Sequence, residues 1–236
     1  MDVAECGLRR LVGRVALALV LGAAAFLAGP VLCNAVARVT GHAEPSPWRL
    51  VVTLVISVGL LALLSRGRLS AYGFRVPGEF SLPRLAILSV AVAGVTFFAM
   101  RLASGSGGGG IAPRPMLYHV AFSWLLASVA EEVLSRGLVQ GILTPLGSRG
   151  VTVKGVRLSL PVIGAAAFFG ATHLIMGSSG IRISTVAVVV PGAFVLGLVA
   201  GYYRELTGSL LPAVLAHLLA NMTGTLLASA SAVWLE

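Results

Sequence analysis

Charged residues are scarce in this 236-residue chain. Only 11% of its residues are charged, whereas 57% are hydrophobic, and the mean hydropathy is +0.97. A soluble domain of ordinary composition carries about 25% charged residues. The shortage of charge therefore excludes that class, and the sequence predicts an integral membrane protein.

Cysteine and lysine are also scarce. Cys6 and Cys33 are the two cysteines, and their spacing indicates neither a disulfide nor a metal site. Lys154 is the single lysine among 17 basic residues, and this preference for arginine, beside abundant Ala, Val and Gly, indicates a GC-rich bacterial genome. The basic residues are scattered over loops, so no nucleic-acid partner is predicted. The net charge of +9 instead indicates topology and contact with anionic membrane lipids.

Long apolar runs are plentiful. Runs of about 17 to 25 residues predict membrane-spanning helices, and seven are found, at 11–36, 48–65, 84–100, 116–145, 158–176, 183–203 and 210–234. The second and third runs are short, which leaves an eighth helix open. The first run is long for the apolar core of a secretion signal, so we expect an uncleaved helix. The predicted fold is an all-α, polytopic membrane helix bundle.

Arginine and lysine are distributed unequally between the segments that alternate across the membrane. Eleven lie at the N-terminus and in the second, fourth and sixth loops, and five lie in the other loops. Because cytoplasmic segments carry the excess of basic residues, the N-terminus is predicted to be cytoplasmic. Together with the composition, this predicts a multi-pass protein of the bacterial inner membrane.

A glycine-rich stretch, SGSGGGG at 104–110, divides the chain. Such a stretch buries no apolar surface and behaves as a flexible connector. We therefore predict three leading helices in residues 1–103, a linker at 104–115, and a catalytic four-helix core in 116–236. No internal repeat is evident, which argues against a transporter built from inverted repeats.

Three charged residues lie midway along the fourth run. Each ionisable side chain at this depth costs about 3 kcal/mol, so Glu131, Glu132 and Arg136 need an explanation. Glu132 and Arg136 are four residues apart with the acid first, the spacing that favours an ion pair on one helical face. Glu131 is rotated by about 100° from Glu132, which leaves it without that partner.

Two later runs each contribute a histidine. Phe169 precedes His173 by four residues, and His217 precedes Asn221 by four, so each pair shares a helical face. At about 1.5 Å per residue, Glu131, both histidines and Asn221 reach similar depths below the cytoplasmic surface. Polar groups at that depth face the bundle interior or water, so we expect them to line a water-filled pocket.

Such a pocket contains the groups that peptide hydrolysis requires. Glu131 is a candidate base for deprotonating water with the help of His173, while His217 and Asn221 are candidate donors to the oxyanion. Glu131, His173 and His217 are alternatively a candidate zinc-ligand set with water in the open position. No His-Glu-x-x-His sequence occurs, and the residues leave zinc and a metal-free mechanism both open.

The three motifs EEVLSRG, FxxxH and HxxxN, in this order on separate spans, resemble the signature of the CPBP (Abi) family of CAAX-processing and bacteriocin-processing intramembrane proteases. The lead-in TGSLLP at 207–212 is similar too, and the resemblance covers about residues 122–225. Ser135 departs from the bulky aromatic residue that members often carry there.

The resemblance implies endoproteolysis within the membrane, at a site formed by Glu131, Glu132, Arg136, His173, His217 and Asn221. It implies a membrane-associated peptide or protein substrate, lipidated or bacteriocin-like. The family is named for metalloproteases, although metal-free glutamate-dependent hydrolysis has also been argued for it. Two alternatives use the same residues: a proton- or cation-coupled transporter, and a catalytically idle membrane scaffold.

Overall fold

The computed structural model describes residues 3–41, 47–104 and 115–233. Seven helices within these ranges are long and apolar enough to cross a membrane, which confirms the predicted polytopic bundle. Most of the predicted linker, together with Trp234 at the end of the last predicted span, lies outside the described residues.

The first three helices are α1 (Val3–Thr40), α2 (Trp48–Ser65) and α3 (Leu82–Ser104). The helical conformation of α1 extends well past both ends of the predicted 11–36. A short 3₁₀ turn, Leu69–Tyr72, follows α2. The ring of Tyr72 in this turn packs directly against the backbone of Gly141, where a Cβ atom would collide with it.

The fourth span, α4 (Met116–Leu146), is one continuous helix with changing hydrogen bonding. His119–Leu126 and Val133–Val139 are π-helical, and the α-helical turn and a half Ala127–Glu132 lies between them. Short π-helical segments are rare and occur frequently at functional sites. Here they flank the two adjacent glutamates.

A β-hairpin connects α4 to the fifth span. Strands β1 (Gly150–Val153) and β2 (Val156–Ser159) pair antiparallel. The turn between them is Lys154-Gly155, with φ of 48° and 81°. Two positive φ values are typical of the tight hairpin turn that matches strand twist. The predicted span 158–176 was thus wrong at its start, because residues 158 and 159 are in a strand.

The remaining helices are α5 (Leu160–Thr172), a 3₁₀ segment (His173–Ser179), α6 (Ile183–Thr207) and α7 (Leu211–Val233). Ser159 caps α5 by accepting a hydrogen bond from the Val162 backbone at 3.3 Å. Pro161 and Pro212 lie in the first turns of α5 and α7, where the missing N–H has no helical partner to lose, and Pro191 is inside α6.

Helix α4 occupies the centre of the bundle. α1 and α2 pack on it from one side, α5 and α7 pack on it from the other, and α3 packs against α6 and α7. The apolar core between α4 and the first two helices contains Leu134, Leu138 and Ile142 of α4 with Ala18 and Leu61. The charged residues of α4 are therefore enclosed by helices on both sides.

Two glycines let α6 approach α4 and α5 closely. A Cβ atom on Gly197 would lie 2.9 Å from the Cα of Ala166 and 3.0 Å from Nη2 of Arg136. A Cβ atom on Gly201 would lie 3.2 Å from Oε1 of Gln140. Small residues of this kind allow membrane helices to pack backbone against backbone.

Replacing Gly197 by alanine is expected to destabilise the protein, because the added methyl group meets the backbone of α5 rather than a movable side chain. Overpacking of this type costs about 1 to 3 kcal/mol. Thermal unfolding in detergent measures the effect. Gly59→Ala is the matched control, since a Cβ atom on Gly59 meets nothing within 4 Å. Equal midpoints for the two variants would contradict the close packing of α6.

Candidate active site

The ion pair within α4 forms as its spacing predicts. Nη1 of Arg136 lies 2.9 Å from Oε1 of Glu132, and both side chains are at most 1% exposed. The Arg136 guanidinium also lies over the ring of Phe169 from α5, with 4.6 Å between Cζ and the ring centroid. The carboxylate supplies the countercharge and the aromatic face a cation–π contact, so the buried cation is balanced on two sides.

His217 of α7 places its imidazole between the two glutamates. Its Nδ1 lies 2.9 Å from Oε1 of Glu132, and its Nε2 lies 3.8 Å from Oε2 of Glu131. Glu132 is ionised as the ion-pair partner of Arg136, so its carboxylate oxygen accepts this hydrogen bond and Nδ1–H of His217 donates it. This bond fixes the ring so that Nε2 is directed at Glu131.

Glu131 differs from Glu132 in its surroundings. Its side chain is 30% exposed, whereas that of Glu132 is 1% exposed. Its separation of 3.8 Å from His217 is too long for a direct hydrogen bond. Glu131 is therefore the more accessible of the two glutamates. Its side chain is rotated away from Arg136 and faces His217 of another helix.

His173 lies at the junction of α5 and the 3₁₀ segment. Its Nδ1 donates to the carbonyl oxygen of Phe169 at 2.9 Å, so Nε2 is the ring nitrogen left to form another hydrogen bond. The ring centroid of Phe169 is 5.0 Å from that of His173 and 5.3 Å from that of His217, edge-on in both cases. One buried phenyl ring thus contacts both histidines.

Asn221 lies one turn beyond His217 and also faces α4. Its Nδ2 donates to the carbonyl oxygen of Ser123 at 2.9 Å and to Oγ of Ser128 at 3.3 Å. The carbonyl partner supports this orientation of the amide, since a flipped group would direct oxygen at oxygen. Ser128 is fully buried and lies one helical turn before Glu132.

Four of the predicted site residues form one chain of contacts, which runs from Arg136 through Glu132 and His217 to Glu131. His173 joins them through Phe169, and Asn221 joins α4 at Ser128. Sequence reasoning missed two polar residues of α4 that contact neighbouring helices: Ser128, which accepts from Asn221, and Gln140, which donates to the carbonyl oxygen of Gly201. Both lie on the stripe of Glu132, four residues before and eight residues after it, and this helical spacing was the available signal.

A three-ligand metal site is not formed by the predicted residues. Within the described ranges no three His, Cys, Asp or Glu side chains are grouped so that they could hold a metal ion. Nδ1 of His217 is engaged by Glu132, which leaves Glu131 and one imidazole nitrogen converging. The donor set Glu131, His173 and His217 therefore does not fit a zinc centre.

Comparison with known proteins agrees with the motifs. Residues 113–223 match the family model described as type II CAAX prenyl endopeptidase Rce1-like, and this segment contains every residue of the candidate site. Among curated proteins and solved structures there is no significant match. Residues 113–223 of this multi-pass membrane protein are similar to the Rce1-like family of CAAX prenyl endopeptidases, and this similarity confirms the resemblance that the three motifs predict.

Proposed function

We propose that the protein is an intramembrane endopeptidase in which Glu131 activates the attacking water. The observation that supports this most directly is the placement of His217, which donates Nδ1–H to Glu132 and directs Nε2 at Glu131. The match to a protease family supports peptide hydrolysis in general.

The gap between Glu131 and His217 suits a water molecule. The carboxylate of Glu131 and the Nε2 of neutral His217 are both acceptors. A water that donates one hydrogen to each leaves its lone pairs directed away from both groups, toward an approaching carbonyl carbon. His217 therefore helps to hold the water, a role that the sequence alone suggested for His173.

Hydrolysis then proceeds in two steps. Glu131 takes a proton from the water as the oxygen attacks the carbonyl carbon, and the carbonyl oxygen becomes an oxyanion. Glu131 next delivers that proton to the amide nitrogen, and the carbon–nitrogen bond breaks to give an acid and an amine. Glu132 takes no part in the proton transfer, because its carboxylate is engaged by Arg136 and His217.

The oxyanion needs donors that are already in place. The Nδ2 group of Asn221 is one candidate, and exchanging its 3.3 Å bond to Ser128 for one to the substrate costs little. His173 is the second candidate. Its Nδ1–H is committed to Phe169, so in the protonated ring Nε2–H is the donor available to a substrate.

We propose that the substrate is a membrane-associated peptide or protein, lipidated or bacteriocin-like, and that the site opens toward the cytoplasm of a bacterial cell. Arg14 of α1 donates to the carbonyl oxygen of Ile142 near the end of α4 at 3.3 Å. The basic N-terminus and the basic hairpin therefore lie at one end of the bundle. The positive-inside rule supports assigning that end to the cytoplasm.

The test is cleavage by the purified protein in liposomes. A library of hydrophobic peptides, with and without a lipid anchor, is incubated with the proteoliposomes, and fragments are identified by mass spectrometry. We expect hydrolysis at defined positions, with the same rate when a metal chelator is present. Loss of the cleavage activity in chelator, restored by zinc, would contradict the metal-free mechanism.

The two other functions predict different outcomes in the same preparation. A transporter moves an ion or solute across the liposome membrane without releasing fragments, because the same acid and histidines would act as a relay. An idle scaffold releases no fragments and moves nothing. Either result would overturn the protease proposal.

A further inference from the structure

A row of fully buried polar side chains continues along α4 beyond the candidate site. Glu132, Arg136 and Gln140 are spaced four residues apart, and each has 0% of its surface exposed. Residues at this spacing lie one above another on a helix. Gln140 is thus the next polar group after the ion pair, on the side away from Glu131.

Gln140 joins α4 to α6. Its Nε2 donates to the main-chain carbonyl oxygen of Gly201 at 3.0 Å. A buried amide that bonds to a neighbouring helix fixes the two helices relative to each other. The contact is direct because Gly201 has no side chain to keep the backbones apart.

Arg136 meets the same face of α6, one turn earlier. A Cβ atom on Gly197 would lie 3.0 Å from its Nη2, just as one on Gly201 would lie 3.2 Å from Oε1 of Gln140. The guanidinium and the amide oxygen therefore border one narrow seam, against two glycines that are four residues apart.

Donor and acceptor on this seam are both unsatisfied. Within the described part of the chain, Nε and Nη2 of Arg136 and Oε1 of Gln140 have no hydrogen-bond partner, although all three atoms are buried. A buried polar atom without a partner costs about 1 to 3 kcal/mol, and more if it is charged. Two donors and an acceptor on adjacent turns of one helix are the partners that a single buried water molecule needs in order to bridge them.

We propose that Gln140 is a positioning residue of the active site, which holds the guanidinium of Arg136 against α6 and through it orients Glu132 and His217. The inference rests on the proposed function. In the proposed mechanism Glu132 orients the imidazole of His217, which holds the attacking water together with Glu131. Displacement of Arg136 therefore disturbs this water site, even though Gln140 itself contacts neither the substrate nor the water.

The first test is a double-mutant cycle on hydrolysis of a peptide that the wild-type protein cleaves. Gln140→Met keeps the volume and removes both the hydrogen bond to Gly201 and the amide oxygen that lies beside Arg136. We expect it to lower kcat about tenfold with KM unchanged, and to lower kcat less than about twofold in the background of Arg136→Lys. A residue that only packs would have the same effect in both backgrounds, and that result would overturn the proposal.

Thr144→Val is the matched control. It removes a hydroxyl group that donates to the carbonyl oxygen of Gln140 at 3.0 Å, one turn further along the same helix and without access to Arg136. We expect its kcat to stay within about twofold of wild type. An equal loss in Thr144→Val and Gln140→Met would show that any change at this end of α4 is harmful, and would overturn a specific role for Gln140.

A second readout does not depend on catalysis. Hydrophobic carbodiimides modify protonated carboxyl groups in apolar surroundings, and mass spectrometry locates the product. If Gln140 holds Arg136 in place, Gln140→Met leaves Glu132 less well paired and raises its modification rate about fivefold, while Thr144→Val does not. An unchanged carbodiimide modification rate of Glu132 in Gln140→Met would overturn the inference. Because this measurement needs no peptide cleavage, its outcome is independent of whether the protease proposal holds.

Discussion

Replacing Glu131 by glutamine is expected to lower the rate of peptide hydrolysis about 10²- to 10⁴-fold, the usual contribution of a general base. The amide has the shape of the carboxylate but does not accept a proton from water. Stability should hardly change, because the side chain is 30% exposed and its contact with His217 is 3.8 Å long. Cleavage rates in liposomes and thermal unfolding in detergent measure the two effects.

Glu79→Gln is the control for this change. Glu79 lies in the exposed segment between α2 and α3, and the same loss of charge there should leave the activity at the wild-type rate. Full activity in Glu131→Gln would remove Glu131 from the mechanism. A large drop in its unfolding temperature would instead favour the scaffold, in which these residues are retained for packing.

The second large effect is on stability. Replacing Arg136 by methionine removes the partner of Glu132 at 2.9 Å and leaves a buried carboxylate facing His217 alone. Breaking one side of a buried ion pair costs about 3 to 5 kcal/mol. We expect a large fall in the thermal unfolding temperature in detergent, together with loss of hydrolysis.

The double variant Glu132→Leu with Arg136→Met separates charge from packing. Replacing both members of a buried pair by apolar residues is often neutral for stability, so we expect the double variant to recover most of the unfolding temperature while remaining inactive. If the free energy of unfolding of Arg136→Met lies within about 1 kcal/mol of the wild-type value, the ion pair is not buried as described.

The motif pairs were predictable because they depend on helical spacing. Glu132 and Arg136 face each other across one turn, and His217 and Asn221 both face α4, as their four-residue intervals require. Span count followed from the length of the apolar runs. Helical spacing and the length of an apolar run are local properties of the chain, so they can be predicted from the sequence alone.

Contacts between helices were less predictable. Depth indicated that His217 and the glutamates lie at one level, but depth does not give rotation about the helix axis. The hydrogen bond from His217 to Glu132 depends on how α7 packs against α4. The π-helical segments on both sides of Ala127–Glu132 also change the directions of the side chains. Hydrophobic periodicity does not predict such segments.

The hairpin after α4 was missed for a different reason. Its second strand ends in Leu158 and Ser159, which merge with the apolar residues of α5, so a hydropathy criterion assigned them to a membrane span. The alternation in Val151–Val153 and the Lys154-Gly155 turn were the available signals. Two four-residue strands are too short to stand out in a chain that is 57% hydrophobic.

The tip and the base of that hairpin differ in how well they tolerate inserted residues. Its tip, Lys154-Gly155, is exposed, and a foreign segment there meets no neighbour. Its base is tied to the bundle, since Leu160 N–H donates to the Arg149 carbonyl at 2.8 Å and Ser159 Oγ donates to Glu205 at 2.5 Å. An epitope or fluorophore at the tip would therefore report which side of the membrane it occupies, while lengthening at the base would displace His173 relative to Glu131.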